Sequence, residues 1–414
     1  MKNEMSHVSS MPGEELLQLA EKHIFSLTIR DLASALSYEN MRYGMARMMC
    51  ALDSEDVLCV FGPDSTITRN IGRWQAGFGY GAVLRWEGKG IYFPEMRPNA
   101  CGMILARMDE LPSKEEIIEQ VARVEESEIY LGDARLETDF GKGNHFFELY
   151  KTLEVSPDIE DRMPSESYYV IMHGSGQERR NIMYDAVDDG EWIKTPLGKI
   201  SVLSGSMGKK YYRNWLEYNE FSKKRRETLI REVLGDLDVL SNLTHQGLFK
   251  KNEIRLGVHD SMDESYPPGE AIFPVALRWD LPLHIFKGKE SLSEEVVKRA
   301  GFYERADETG SMKSLRDVNI LPHGGGYQLQ MPYTKIKTVH TSIGNSFILH
   351  GMKPASRVDD MTPKKSISEF GTMIISNPRE LPYTYRGESV IRQIMTYDLG
   401  TEVAKLQPMM TVKI

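Results

Sequence analysis

One cysteine and four histidines, each set among glycines or small polar residues, are scattered from position 101 to position 323. A fold that gathers them must draw five remote segments to one point. The segments are Asn99-Ala100-Cys101-Gly102-Met103, Gly143-Asn144-His145-Phe146-Phe147-Glu148, Met172-His173-Gly174-Ser175-Gly176, Thr244-His245-Gln246-Gly247 and Pro322-His323-Gly324-Gly325-Gly326. Imidazole and thiolate bind borderline-soft metals, so these side chains read as one metal site. Each residue alone has a plainer reading. A histidine at a strand end is usually a hydrogen-bonded structural residue, and a lone cysteine is usually a small buried hydrophobe. With ten histidines in the chain, nearly half would belong to this set, and that concentration points to chemistry. His323 stands apart because three glycines follow it. Such a run lets backbone N–H groups approach phosphate oxygens, and the imidazole could then act as a nucleophile on phosphorus. A flexible turn uses glycines equally well.

The rest of the chain narrows the class. Its 414 residues, 41% hydrophobic and 27% charged, are those of an ordinary globular protein large enough for one large α/β unit or two to three domains. No apolar run approaches the roughly 18 residues that a membrane span needs, and residues 1–10 carry no signal-peptide pattern. Three cysteines without a CxxC pair favour a reducing, cytoplasmic setting over a disulfide framework. A formal net charge of −9 argues against non-specific coating of nucleic acid while leaving room for a local basic groove.

Periodicity predicts helix over residues 14–50 and strands with turns over 56–106, where Val57-Leu58-Cys59-Val60-Phe61 is a short apolar run. Ser113-Lys114-Glu115-Glu116 is a capping box that should open a helix to about Glu126. Tyr168 to Met172 reads as a buried strand ending at His173, and Arg213 to Leu234 as a helix stopped at Gly235. Ser293 to Ala300 is a short helix, and Leu321 to Met331 runs from loop to strand. Ser204-Gly205-Ser206-Met207-Gly208 reads as a turn. The basic run Lys223-Lys224-Arg225-Arg226 spreads around its helix, which suits a solvated surface or contact with a phosphate backbone. Strands and helices that mix without regular alternation predict a mixed α/β (α+β) fold, with central sheets flanked by helices.

The order of these motifs resembles the RtcB RNA ligases over about residues 70 to 414. Cys101-Gly102-Met103 is similar to that family's metal-bridging cysteine segment. Gly143-Asn144-His145-Phe146-Phe147-Glu148 is close to its G-N-H-F-x-E signature, and Pro322-His323-Gly324-Gly325-Gly326 resembles the segment whose histidine becomes guanylylated. Glu380-Leu381-Pro382 with Tyr385-Arg386, and Leu406-Gln407-Pro408 with Val412-Lys413, resemble its closing motifs. Residues 1–70 are too diverged to place on the family's pattern and are expected to be an N-terminal segment of the same unit, with 71–414 the catalytic domain.

The resemblance implies a two-manganese centre, in which zinc could also bind. Cys101 would bridge the ions, His145 would complete one, and His173 with His245 would bind the other. His323 would attack the α-phosphate of GTP. Glu148 would read the guanine edge, Tyr385 would pack near the base and Lys413 would contact the nucleotide, with Asn144, Gln246, Gly324 and Gly325 also in the nucleotide site. The partner would be RNA with a 3′-phosphate or 2′,3′-cyclic phosphate end and a 5′-hydroxyl end, with an archease-type protein as a possible activator.

Departures from the pattern cluster. Pro98 stands where the family has a metal-binding aspartate, with Asn99 the nearest polar substitute. The upstream D-x-H aligns with Arg73-Trp74-Gln75, the H-R-K-G-A segment with His259-Asp260-Ser261-Met262-Asp263, and the P-G-S-M-G loop with Pro274-Val275-Ala276-Leu277-Arg278. Three functions are therefore expected to compete. The first is an RtcB-type ligase. The second is a metal-dependent nucleotidyltransferase or phosphoesterase with another acceptor. The third is a non-catalytic module that binds nucleotide or RNA ends.

Overall fold

The computed structural model describes residues 7–267, 269–329, 333–341, 344–352, 369–375, 379 and 383–413. Glu380, Leu381 and Pro382, which carry part of the family resemblance, and Met331, expected in a strand, lie outside the described residues. The fold is mixed α/β, built on two main sheets.

The first sheet has five strands in the order Ile24–Ser26, Val57–Thr66, Tyr80–Trp86, Glu253–Leu256 and Gln246–Lys250. Every residue of Val57–Thr66 is buried, which explains why its first half, Val57 to Phe61, is a continuous apolar run rather than an alternation. Val57, Cys59 and Phe61 face a core shared with the helices Gly13–Lys22 and Leu32–Leu52, whereas Leu58 and Val60 face a second core with Phe273, Val297 and Ile394. Strands from residues 1–70 thus form part of the same sheet as Tyr80–Trp86. The helical stretch expected over 14–50 is two helices, because Ile24–Ser26 pairs in parallel with Cys59–Phe61 and breaks it.

The second sheet has seven strands in the order Asp238–Thr244, Gly102–Met108, Tyr168–Gly174, Phe146–Val155, Gly400–Val412, Leu283–Gly288 and Ile272–Val275, all antiparallel. The helices Lys114–Glu126 and Gly205–Leu234 cover one face, where Ile117, Val121, Leu229, Ile230 and Val233 meet Ile104, Ala106, Val170 and Met172. Burying each such aliphatic side chain contributes on the order of 1.5–3 kcal/mol.

The long helix begins at Gly205, not near Arg213. The segment Ser204-Gly205-Ser206-Met207-Gly208, expected as a turn, is its cap and first turn. Its inward positions Tyr211, Trp215, Tyr218, Ser222, Arg225 and Leu229 recur every three or four residues along one face. Gly247 lies under this face. A Cβ there would come within 1.7 Å of the Trp215 ring, so only glycine lets helix and strand approach. Among the described residues, no helix is long and apolar enough to cross a membrane.

Candidate metal centre and adjoining cleft

His245 is the single residue between Asp238–Thr244 of the seven-stranded sheet and Gln246–Lys250 of the five-stranded sheet. Its N–H donates to Cys101 O (2.9 Å), and its carbonyl accepts from Gly257 N (2.9 Å) and Val258 N (3.0 Å). The seven-stranded sheet supplies the neighbours by register. Gly102 pairs with Thr244 and Gly174, while His173 pairs with both Met103 and Phe146. Cys101, His145, His173 and His245 therefore sit at one edge of that sheet, where it meets the other.

The loop that delivers Cys101 is conformationally demanding. Arg97 and Ala100 hold the left-handed region at φ 48° and 52° without being glycine, a strain that surrounding bonds must offset. Arg73 holds Arg97 O (2.6 Å), and the basic run holds Ala100 O. Arg226 donates to Ala100 O (3.1 Å), Gly174 O (3.2 Å) and Asn242 Oδ1 (2.9 Å). Arg225 donates to Glu178 (2.8 Å), Asp139 Oδ1 (3.1 Å) and Glu137 O (2.5 Å). Both guanidiniums are fully buried. For these two residues, neither a solvated surface nor a phosphate contact holds, because their partners lie in distant segments that fold over the helix.

Cys101 Sγ lies 3.0 Å from His173 Nε2, which is 3.2 Å from His245 Nε2. All three ligand atoms fall within 4.8 Å of one another, so the buried cluster Cys101–His173–His245 could hold a metal ion. The donor orientation fits that use. His173 Nδ1–H donates to Asn144 O (2.9 Å), which fixes the tautomer with an Nε2 lone pair facing the cluster. His145 is similarly oriented, with Nδ1 bonded to Asp139 Oδ2 (2.5 Å) and Nε2 3.5 Å from Cys101 Sγ. Burial opposes ionisation of Cys101, but the His173 and His145 rings outweigh it and hold the thiol well below its usual range. Burial likewise works against a charged His145, yet Cys101 and Asp139 raise it to about 10. Burial, reinforced by the neighbouring His323 and His173 rings, keeps His245 neutral and ready to ligate.

His323 packs against this cluster, its ring 4.3 Å from His245 and 6.1 Å from His173. Its Nδ1–H donates to Asp64 Oδ2 (2.9 Å), and its backbone N–H donates to the same oxygen (3.2 Å). Asp64 is a member of this cluster that the sequence motifs did not point to, because the upstream acidic motif was aligned with Arg73-Trp74-Gln75. The available signal was Gly62-Pro63-Asp64, a charge placed inside an apolar strand run. Arg73 is instead a buried cation that donates to Met96 O (2.7 Å) and Arg97 O (2.6 Å).

His323 opens onto a cleft lined by Asn144, Glu148, Gly324, Gly325, Tyr385 and Lys413, together with Thr66, Tyr80, Arg278 and Trp279. Six of the seven residues expected around a nucleotide therefore share one cavity with His323. Gln246 is not among them. It is 1% exposed and turns inward, its amide bridging Arg73 to Asn99 Oδ1 (2.8 Å) and Tyr80 Oη (3.2 Å). Burial raises the Glu148 carboxyl, although Tyr150 and Thr411 hydroxyls bond to it. In the glycine triplet, the Gly325 N–H is taken by Ala276 O (3.1 Å). A Cβ at Gly325 would stand 2.5 Å from Arg386 O, so close backbone packing is what demands glycine there.

The segment that begins at His259 lies close to the same cluster. His259 lies under His245, its ring 5.5 Å away, and burial with the adjacent His323 pushes it down to about 3. Asp260 pairs with Arg255 (3.1 Å). No family model matches the chain, and no curated protein sequence matches it.

Proposed function

We propose that this protein is a GTP- and metal-dependent RNA ligase of the RtcB type, joining 3′-phosphate or 2′,3′-cyclic phosphate ends to 5′-hydroxyl ends. The observation that carries the reading is His323. Its Nδ1 is tied to a buried carboxylate while its ring faces a cleft beside the Cys101–His173–His245 cluster. An imidazole whose Nδ1–H is donated presents the Nε2 lone pair, and the carboxylate supports the positive charge that develops as that nitrogen forms a bond.

In the proposed first step, His323 Nε2 attacks the α-phosphorus of GTP. The bond to the bridging oxygen breaks and pyrophosphate leaves with that electron pair. The product is a histidine–GMP phosphoramidate. An RNA 3′-phosphate oxygen then takes the GMP from nitrogen, and a 5′-hydroxyl attacks the activated phosphate and expels GMP. A 2′,3′-cyclic end would first be opened by water. Glu148 at the inner wall suits the N–H edge of guanine, Tyr385 offers a ring face to the base, and Lys413 offers charge to the phosphates. A divalent ion at the cysteine–histidine cluster would neutralise charge building on the phosphate. Manganese is the family's metal, and the thiolate and imidazole donors suit zinc as well.

A second reading, nucleotidyl transfer or phosphoester cleavage with another acceptor, draws on Asp260. It places an acidic group paired to Arg255 where the resemblance would put an arginine.

The test is incubation with manganese and α-labelled GTP, followed by denaturing electrophoresis and acid treatment. An acid-labile label that maps to His323 and is lost in His323→Ala is expected. Asp64→Asn should slow labelling by about 10- to 100-fold, the worth of a charge-assisted hydrogen bond. Absence of label with both GTP and ATP would overturn nucleotidyl transfer, and label without joined RNA would favour the second reading.

A further inference from the structure

We infer that the centre holds one divalent ion, and that the buried Arg73 guanidinium serves as its permanent neighbouring cation. This rests on Cys101, His173 and His245 being metal ligands, but not on the identity of the reaction.

Donor supply comes first. Among the described residues, Cys101–His173–His245 is the one group of three or more ligand atoms close enough for an ion. A second ion on the other side of the sulfur would find His145 Nε2, 3.5 Å from Cys101 Sγ, and would still lack a further strong donor. Asp139 does not supply it, because its two oxygens are engaged by His145 Nδ1 and by Arg225. Asn99 offers a neutral amide whose Oδ1 already accepts from Cys101 N (3.0 Å) and from Gln246.

Charge argues the same way. Arg73 reaches the Cys101 loop through Gln246, whose amide oxygen accepts from the guanidinium (2.9 Å to one nitrogen) while its nitrogen holds Asn99. Arg73 is 2% exposed, bonded to two carbonyls of the loop that leads to Cys101, and stands near Tyr80, which packs on His323. Beside the centre, Arg73, Arg225 and Arg226 place three buried guanidiniums. Each divalent ion adds two more positive charges to these, so a second ion is opposed more strongly than the first. Such an excess is heavily penalised where the effective dielectric is low. The guanidinium supplies fixed positive charge near the cleft without needing ligands, so the phosphate chemistry can run beside one ion.

The test uses metal alone. Protein stripped by chelator is dialysed against manganese or cobalt, and the bound metal is counted by plasma mass spectrometry. The expected result is one ion per chain at saturation, with the six-line spin-resonance spectrum of an isolated manganese. Two ions per chain with an exchange-coupled spectrum would overturn the inference. No bound ion would overturn both it and the ligand assignment. Labelling of His323 is scored separately, so failure of the proposed reaction does not alter this count. In the Arg73→Met variant the ion should bind tighter, by about tenfold, because a nearby positive charge is gone. Arg73→Lys should stay near wild type. Unchanged or weaker binding in a folded Arg73→Met protein would overturn the charge role, and the wild-type count decides stoichiometry without any variant.

Discussion

Replacing Arg225 and Arg226 separately by methionine distinguishes two kinds of buried cation that adjoin in sequence. Arg225 is neutralised by Asp139 and Glu178, at 3.1 Å and 2.8 Å. Arg225→Met leaves Glu178 without its buried cation and Asp139 with His145 alone, and breaking such a pair costs about 3–5 kcal/mol. Among the described residues Arg226 has no carboxylate partner, and burial lowers its guanidinium to about 10 despite the nearby Cys101 thiolate. Arg226→Met strands three acceptors, Ala100 O, Gly174 O and Asn242 Oδ1, at roughly 1–3 kcal/mol each. It also removes a buried charge whose desolvation costs several kcal/mol. The net loss should be about 1–2 kcal/mol, leaving a gap near 2–3 kcal/mol between the variants. Urea unfolding followed by circular dichroism resolves this. With a slope above the roughly 1–3 kcal/mol/M of small domains, Arg225→Met should shift the midpoint down by about 1 M, and Arg226→Met by less than half that. The Arg225→Met deficit should also shrink toward pH 5, as the stranded carboxylates take up protons. An Arg226→Met protein that is equally or more destabilised would refute the reasoning, as would a deficit that ignores pH.

Two further outcomes are expected. Trp279 is 67% exposed and lines the cleft, so Trp279→Ala should weaken nucleotide binding by about 5- to 100-fold, the worth of one stacked base. Calorimetry giving an unchanged affinity would remove Trp279 from the site. Glu253 is buried, which alone would raise its carboxyl, but Arg255 and Arg85 hold it below its ordinary 4.5. A folded-state value below the unfolded one stabilises the protein fully above 4.5, and the benefit is lost as pH falls through the folded value. Glu253→Gln should therefore be clearly less stable at pH 7 and approach wild type in acid, and a stability gap constant with pH would contradict the assignment.

Local signals were readable where they were self-contained. The Ser113 capping box opens the helix Lys114–Glu126 with both reciprocal bonds present, and Tyr168–Gly174 and Glu294–Arg299 form close to the expected limits. The start of the long helix was hidden because Gly205 and Gly208 have low helix propensity, and tertiary packing overrides it. The meeting of Cys101 with three histidines could be suspected from donor chemistry. The supports could not, since Arg225 finds its carboxylates 86 and 47 positions away. Asp64 was concealed for the same reason, being 259 positions from His323. A run of four basic residues carries no mark of which two will face inward. That choice is made by the helix period and by acids elsewhere in the chain.

The position of His245 has a mechanical consequence. The residue is the single link between the two sheets, while its ring lies against Cys101 and His173 at the edge of one of them. An ion held by the three would therefore pin the junction where the chain passes from one sheet to the other.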